Sequence, residues 1–198
     1  MAEGGTLVKN KISGVELRTY PMVWIDCEMT GLDVENDDIL QVCCYVTDGN
    51  LNLLESDGFE RVLSCSDEKL AAMDDWCQEF HGKTGLIDKV KASTATASEV
   101  EDELLQYITE LVPAKKKAVL AGNSVHCDKE FLRKSMPRLI DYLHYRIIDV
   151  STLSELSLRW ATDIRDNRPA KKYTHNARDD ILESIEELRY YKDHWLLR

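Results

Sequence analysis

The segment MVWIDCEMTGLD, residues 22–33, constrains this chain more than any other. Its apolar residues describe a β-strand, in which residues i and i+2 share a face. Trp24, Asp26 and Glu28 then lie along one side, and Val23, Ile25, Cys27 and Met29 along the other. Two unpaired anions side by side near a core repel each other and cost of order several kcal/mol in desolvation. Something positive is expected between them.

Around this strand the pattern is that of one α/β domain. Met22–Glu28 and Ile39–Asp48 read as strands, and Asn50–Leu63 as a third, joined to the second by a turn at Asp48–Gly49–Asn50. Ser66–His81 reads as a helix opened by a Ser or Asp cap and closed near Gly82. Ala97–Val112 is a second helix, with Thr96 and Glu99 as its capping box and Pro113 just beyond. Ala118–Gly122 is a short buried strand, followed by an acid-bearing turn and a helix around Lys129–Lys134. Arg146–Val150 is a further strand leading into a helix at Ser151–Ala161, then a polar loop at Asp163–Lys172 and a long helix at Thr174–Leu196. Strands early, then strands alternating with helices, predict a mixed β-sheet flanked by α-helices. Residues 1–20 read as a flexible tail and 21–198 as a single domain.

With 198 residues, 43% hydrophobic and 31% charged, the chain has the makings of a soluble globular domain with a sizeable core. Its longest apolar-leaning run, Ile39–Val46, falls far short of the roughly 20 residues that span a bilayer, so no membrane partner is expected. The opening MAEGGTLVKNK has no apolar core of a secretory signal. The six cysteines form no CxxC pair and sit mostly in apolar segments, which favours buried thiols in a reducing compartment. Cytoplasmic and mitochondrial locations both stay open. A net charge of −11 argues against a long basic groove for nucleic acid, but not against a short one gripped at a pocket where divalent cations offset the acids.

Three stretches carry candidate chemistry. Asp26 and Glu28 are hard oxygen donors that can converge on Mg²⁺ or Mn²⁺. Asp128, in GNSVHCD, follows a strand end, where functional groups of open sheets gather. In YTHNARDDI, the apolar face Ala177, Ile181, Ile185 and Leu188 leaves Asp180 roughly 95° from its centre and Asp179 roughly 165°. Asp180 should therefore flank the core and Asp179 face solvent, with His175 a turn earlier. Singly, each has an ordinary alternative: acids at a strand end facing water, a helix N-cap at Asp128, a capping or surface histidine. Together, four carboxylates suffice to hold two divalent cations about 4 Å apart, and a histidine can take a proton from an attacking water.

The order D-x-E, D, H-x4-D resembles the DEDDh 3′→5′ exonucleases, which have a ribonuclease H-like fold. Within them WIDCEMTGLD, LAAMDDW, VKAST, AGNSVHCDKEFL, HYRIIDVSTLSEL and THNARDDILESIEEL resemble the oligoribonuclease family from about Met22 to Trp195. The resemblance implies that Asp26, Glu28, Asp128 and Asp180 bind two cations, Mg²⁺ or Mn²⁺. It makes His175 the general base and 5′-mononucleotides the products. It implies RNA substrates of about two to five nucleotides, dinucleotides above all, with Leu32 and Trp76 stacking on or wedging the bases whatever their identity. Ser124, Arg146, Ser151 and Thr152 would hold the 5′-phosphate, and Tyr145 would close over the substrate from the second subunit of a homodimer. By composition alone Trp76 on a helix reads as core, and Arg146 on a strand as a salt-bridge partner.

Two departures stand out. Family members often carry an acid where this chain has Gln41, and an apolar Leu where it has Cys27, which should face away from the metals. The rival readings are another DEDDh nuclease of the proofreading or trimming kind, and a non-catalytic RNA-binding protein that keeps the fold. HYRIIDVST argues against the first, and the filled catalytic positions against the second.

Overall fold

A computed structural model describes residues 20–170 and 177–197. The expected N-terminal tail, save Tyr20, and the expected helix start with His175 lie outside the described residues. The expected alternation of β1 (Met22–Met29) is what the structure shows. Val23, Ile25 and Cys27 enter one core, while Met22 and Trp24 enter another on the opposite face. β1 pairs antiparallel with β2 (Ile39–Thr47), which pairs antiparallel with β3 (Phe59–Val62). On its other side β1 runs parallel to β4 (Val119–Gly122), and β4 to β5 (His144–Asp149). The five-stranded mixed sheet has the order β3-β2-β1-β4-β5.

Helices cover both faces. α4 (Ala97–Leu111), α5 (Val125–Ser135) and α6 (Pro137–Tyr142) supply Val100, Leu104, Ile108, Phe131, Leu132 and Leu139 to the Val23–Cys27 face. α7 (Val150–Trp160) and α9 (Ala177–Tyr191) supply Val150, Ile181, Ile185 and Tyr191 to the Trp24 face. Trp24 is fully buried there, its indole N–H donating to Thr47 Oγ1 at 3.0 Å. α1 (Asp67–Ala72), α2 (Asp75–Lys83) and α3 (Leu86–Ala92) close a smaller apolar cluster around Leu40, Leu70, Met73 and Val90.

Several expected elements differ in extent. The helix expected over Ser66–His81 opens at Ser66 but breaks at Met73, whose ψ of 147° leaves the helix, and restarts with Asp74 as a new N-cap accepting from Cys77 N. Burying Met73 in the third cluster fixes that turn. The strand expected over Asn50–Leu63 shrinks to β3, because side chains draw the intervening backbone into turns. Asp48 accepts from the N–H groups of Asn50 and Asn52, and Glu55 from those of Asp57 and Gly58. The polar loop expected at Asp163–Lys172 begins as a short helix, α8 (Thr162–Asp166). The terminal helix finishes in a π-helical turn at Lys192–Leu196. α3 and α6 had no counterpart in the sequence reading, although Pro137 at the first helical position of α6 was a signal for it. The six cysteines are free thiols.

The capping box of α4 is present in both directions, Thr96 accepting from Glu99 N and Glu99 accepting from Thr96 N. Thr96→Ala is expected to lower stability by about 1 kcal/mol, seen as a fall in melting temperature of roughly 2–4 °C, with nuclease activity unchanged. An unchanged melting temperature would show that this cap contributes nothing.

Candidate active site

β1 outruns its parallel neighbour. β4 pairs only with Met22–Trp24, so Asp26 and Glu28 project past the end of β4, where an open sheet forms its crevice. The pairing of β1 with β2 is irregular between Glu28 and Met29, the kind of local kink that re-aims side chains. Gly122 ends β4 so close to β1 that a Cβ would sit 3.1 Å from the Ile25 carbonyl oxygen and from Val125. That approach brings the first turn of α5, and Asp128 with it, onto β1. Asp128 Oδ1 accepts from Cys27 N at 3.0 Å. Cys27 itself points into the core, as expected, with Val23 and Ile25. α9 delivers the last acid. Its apolar face is buried against Trp24, leaving Asp180 half-buried and Asp179 exposed, as the helical geometry predicts.

The acids feel one another. Burial, then Asp180, then Asp128 push the Glu28 carboxyl up to about 7. Burial raises Asp128 to about 6 against the opposing hydrogen bond from Cys27. Burial, Asp128 and Asp26 hold the Cys27 thiol well above its usual range. Among the described residues no three ligand side chains are closed into a ready-made metal cluster, and one Asp128 oxygen is engaged by backbone. The donor set nonetheless suits hard divalent cations: carboxylate oxygens from one strand and two helices, with Glu28 raised by burial and by its neighbours Asp180 and Asp128, a charge a cation relieves.

His81, which the sequence reading named only as a helix end, is a further member of this site. It is 1% exposed, and its Nε2 lies 2.9 Å from the Met29 carbonyl, which can only accept; Nε2 therefore carries the proton. Nδ1 lies 3.9 Å from Glu28 Oε2 and has no hydrogen-bond partner among the described residues. Burial lowers its pKa, so the ring presents a neutral acceptor to the site. Nothing in the pattern of α2 marked it, because a histidine beside Cys77 and Leu86 reads as core.

The remaining candidates lie on other loops and helices and on β5. Leu32, 80% exposed, rides on a loop tied by Thr30 Oγ1 to Asp37 (2.7 Å) and by Asp33 N to Asp37 (2.9 Å). The Lys134 ammonium donates to the carbonyls of Val34, Glu35 and Asp37 at 2.7, 3.0 and 3.2 Å, fixing the loop's far side. Trp76 is 63% exposed, not core, with its ring stacked on Phe80 at 4.8 Å.

On the other flank, Ser124 caps α5 with φ 50°, and its N–H donates to Ser151 Oγ and Asp149 Oδ1, both at 2.9 Å. Ser124 Oγ and Ser151 Oγ lie 3.2 Å apart. Asn123, also missed from sequence, binds this pair to α9. It accepts from Ser151 Oγ at 3.1 Å and donates to Ser184 Oγ at 2.7 Å. Thr152 follows, exposed in the first turn of α7.

One step along β4, Val119 to Leu120, spans His144 to Ile147 on β5, so Tyr145 and Arg146 bulge out of the ladder. Both are exposed, and Arg146 lies over the Tyr145 ring at 5.2 Å rather than against the two serines.

Known proteins share this arrangement of sequence. A family model described as exonuclease matches residues 23–188. The probable oligoribonuclease of Schizosaccharomyces pombe is 49% identical over 178 residues, 89% of this chain and 69% of its own. The oligoribonuclease of Mannheimia succiniciproducens is 47% identical over 182 residues, 92% of this chain and 96% of its own. The chain belongs to the oligoribonuclease family. It is thereby an enzyme, a phosphodiester hydrolase of the 3′→5′ exoribonuclease class. The mitochondrial oligoribonuclease of Homo sapiens is 48% identical over 172 residues, 87% of this chain and 72% of its own.

Solved structures share the fold at lower identity. The zinc-bound E. coli exonuclease I complex with single-stranded DNA superposes with a TM-score of 0.67 at 15% identity, over 90% of this chain. This chain spans only 41% of that longer protein. The mixed sheet flanked by helices is the ribonuclease H-like architecture expected from the sequence. No helix among the described residues is long and apolar enough to cross a membrane.

The raised carboxyl of Glu28 sets a pH dependence. Its folded value, about 7, exceeds its unfolded value near 4.5, so the folded state holds the proton longer. Stability is then greatest below the unfolded value and falls as pH rises towards 7, by roughly 3 kcal/mol at most for a shift of this size. In a chelating buffer the melting temperature is expected to drop across that interval, and Glu28→Gln is expected to flatten the drop. An equal slope in wild type and variant would remove Glu28 as its source.

Proposed function

We propose that this enzyme removes 5′-mononucleotides from the 3′ end of very short RNAs, of which dinucleotides are the characteristic substrate. The observation that carries this reading is the coupling of Glu28 to Asp128 and Asp180, three acids from separate elements gathered beyond the end of β4. Asp26, Glu28, Asp128 and Asp180 would hold two divalent cations, Mg²⁺ or Mn²⁺. When bound, such cations stabilise the charge that develops on the attacking and leaving oxygens.

The chain's own residues do the rest. His175 accepts the proton of the attacking water. Leu32 and Trp76 offer exposed apolar surface suited to bases of any identity. Ser124, Ser151 and Thr152 present hydroxyls for the 5′-phosphate, and Arg146 supplies the positive charge once it leaves the Tyr145 ring. Ser124, the N-cap of α5, and Asp128, in its first turn, stand only four residues apart, which supports a substrate too short to run past both. A net charge of −11 fits RNA held at its two ends rather than along a basic groove.

The second subunit enters through the outer edge of the sheet. Among the described residues β5 has no strand beyond it, and Tyr145 on it (70%) and Trp160 at the end of α7 (73%) are exposed. We propose a homodimer in which Tyr145 of one protomer closes over RNA bound to the other. We propose a mitochondrial or cytoplasmic location; the human relative named mitochondrial supports the first.

Turnover of 5′-phosphorylated RNAs of graded length, from two to about ten nucleotides, tests the reading, with Mg²⁺ and then EDTA. Mononucleotide release should be fastest on the shortest RNAs, stop in EDTA, and fall at least ~100-fold in His175→Ala and Asp26→Ala. A flat or rising length profile would keep the nuclease and overturn the short-RNA reading in favour of a trimming exonuclease.

A further inference from the structure

Arg178 opens α9 two residues before Asp180 and three after His175 in the chain. It reaches across the sheet to three partners. Its Nε pairs with Glu60 Oε2 on β3, and its Nη1 donates to the Asp57 carbonyl and, at 3.2 Å, to the Tyr45 hydroxyl. Its guanidinium carbon also lies 6.0 Å from the Tyr45 ring centre. The other oxygen of Glu60 accepts from Gln41 Nε2 at 2.7 Å. Gln41 is buried, and it stands directly opposite Glu28 in the β1–β2 ladder.

A continuous hydrogen-bonded path therefore runs from the first turn of α9, through β3, to the strand position facing Glu28. The apolar face of α9 seats the helix on the sheet from Ala177 onward, but a contact of that kind is non-directional. The guanidinium fork has a fixed geometry and adds direction. Gln41 has a role in the same device. A carboxylate there would face Glu28 and Glu60 at once, whereas the neutral amide donates to Glu60 and leaves it one charge for Arg178 to match.

We infer that Arg178 is a positioning residue: clamped on Glu60, with Gln41 completing the path, it sets where the first turn of α9 holds Asp180 against Glu28. The inference rests on the proposed role of those two acids, and it adds residues that touch neither RNA nor metal.

The test uses Arg178→Leu, Glu60→Leu, the double variant and Gln41→Glu in the full-length protein. A 5′-phosphorylated dinucleotide reports kcat and KM, and calorimetry with Mn²⁺ alone reports cation affinity. Each single variant is expected to lose roughly 10–100-fold in kcat with KM within about twofold, as for a small misplacement of reacting groups. Cation affinity is expected to fall in parallel. The double variant should be no worse than either single one, because both break the same contact.

Melting temperatures that fall while kcat and cation affinity hold would overturn the inference and leave the clamp merely structural. So would a double variant showing the product of the two single losses. Wild-type protein that binds Mn²⁺ but leaves the dinucleotide intact would instead sink the functional reading, and the affinity series would still decide the role of Arg178. If Arg178→Leu does not fold, Gln41→Glu decides: unchanged kcat and cation affinity there would count against the path.

Discussion

Like charges gathered at the end of a buried strand are the constraint on which the rest of the structure depends. Burial, then Asp180 and Asp128 beside it, raises Glu28 to about 7, and burial raises Asp128 to about 6. Left to themselves such side chains would move apart into water. They stay because each is carried by something that cannot move. Asp26 and Glu28 continue a strand whose inner residues are fully buried. Asp128 is held by Cys27 N and by the approach at Gly122, and Asp180 flanks a helix face packed on Trp24. The two cores, one on each side of the sheet, are what oppose the repulsion.

The surrounding shell follows the same logic of rigid support. Polar groups that carry no chemistry fasten the loops and helices of the site to one another and to the sheet. Lys134 holds the loop of Leu32 by three carbonyls, and Asn123 joins the serine pair to α9. Arg178 fastens the start of α9 to β3. In each case a directional hydrogen bond acts where apolar packing alone would permit sliding, and precise geometry is what catalysis by positioned groups demands.

Much of this was legible in the chain. The alternation in MVWIDCEM separated Cys27 from the acids correctly, and the angles on the terminal helix separated Asp180 from Asp179. The Thr96–Glu99 box marked a helix start that the structure has. These succeed because strand and helix periodicity are local, and a side chain's face follows from its own backbone. The long helix over Ser66–His81 was misjudged for the converse reason. Its break at Met73 is set by burial against Leu40 and Val90, which lie far away in sequence. His81 was overlooked because its partner Met29 is 52 residues distant.

The sequence by itself determined the family, the candidate residues for its chemistry, and the strand and helix faces that Asp26, Glu28, Cys27 and Asp180 occupy. Tertiary structure decided how those residues are presented. Two residues bulging from β5 turn Tyr145 and Arg146 outward, the exposure of Trp76 follows from the break before α2, and Glu60 becomes the partner of Arg178 across 118 positions. Periodicity is written in neighbouring residues, whereas register slips, helix breaks and long-range ion pairs depend on which surfaces meet once the cores have formed.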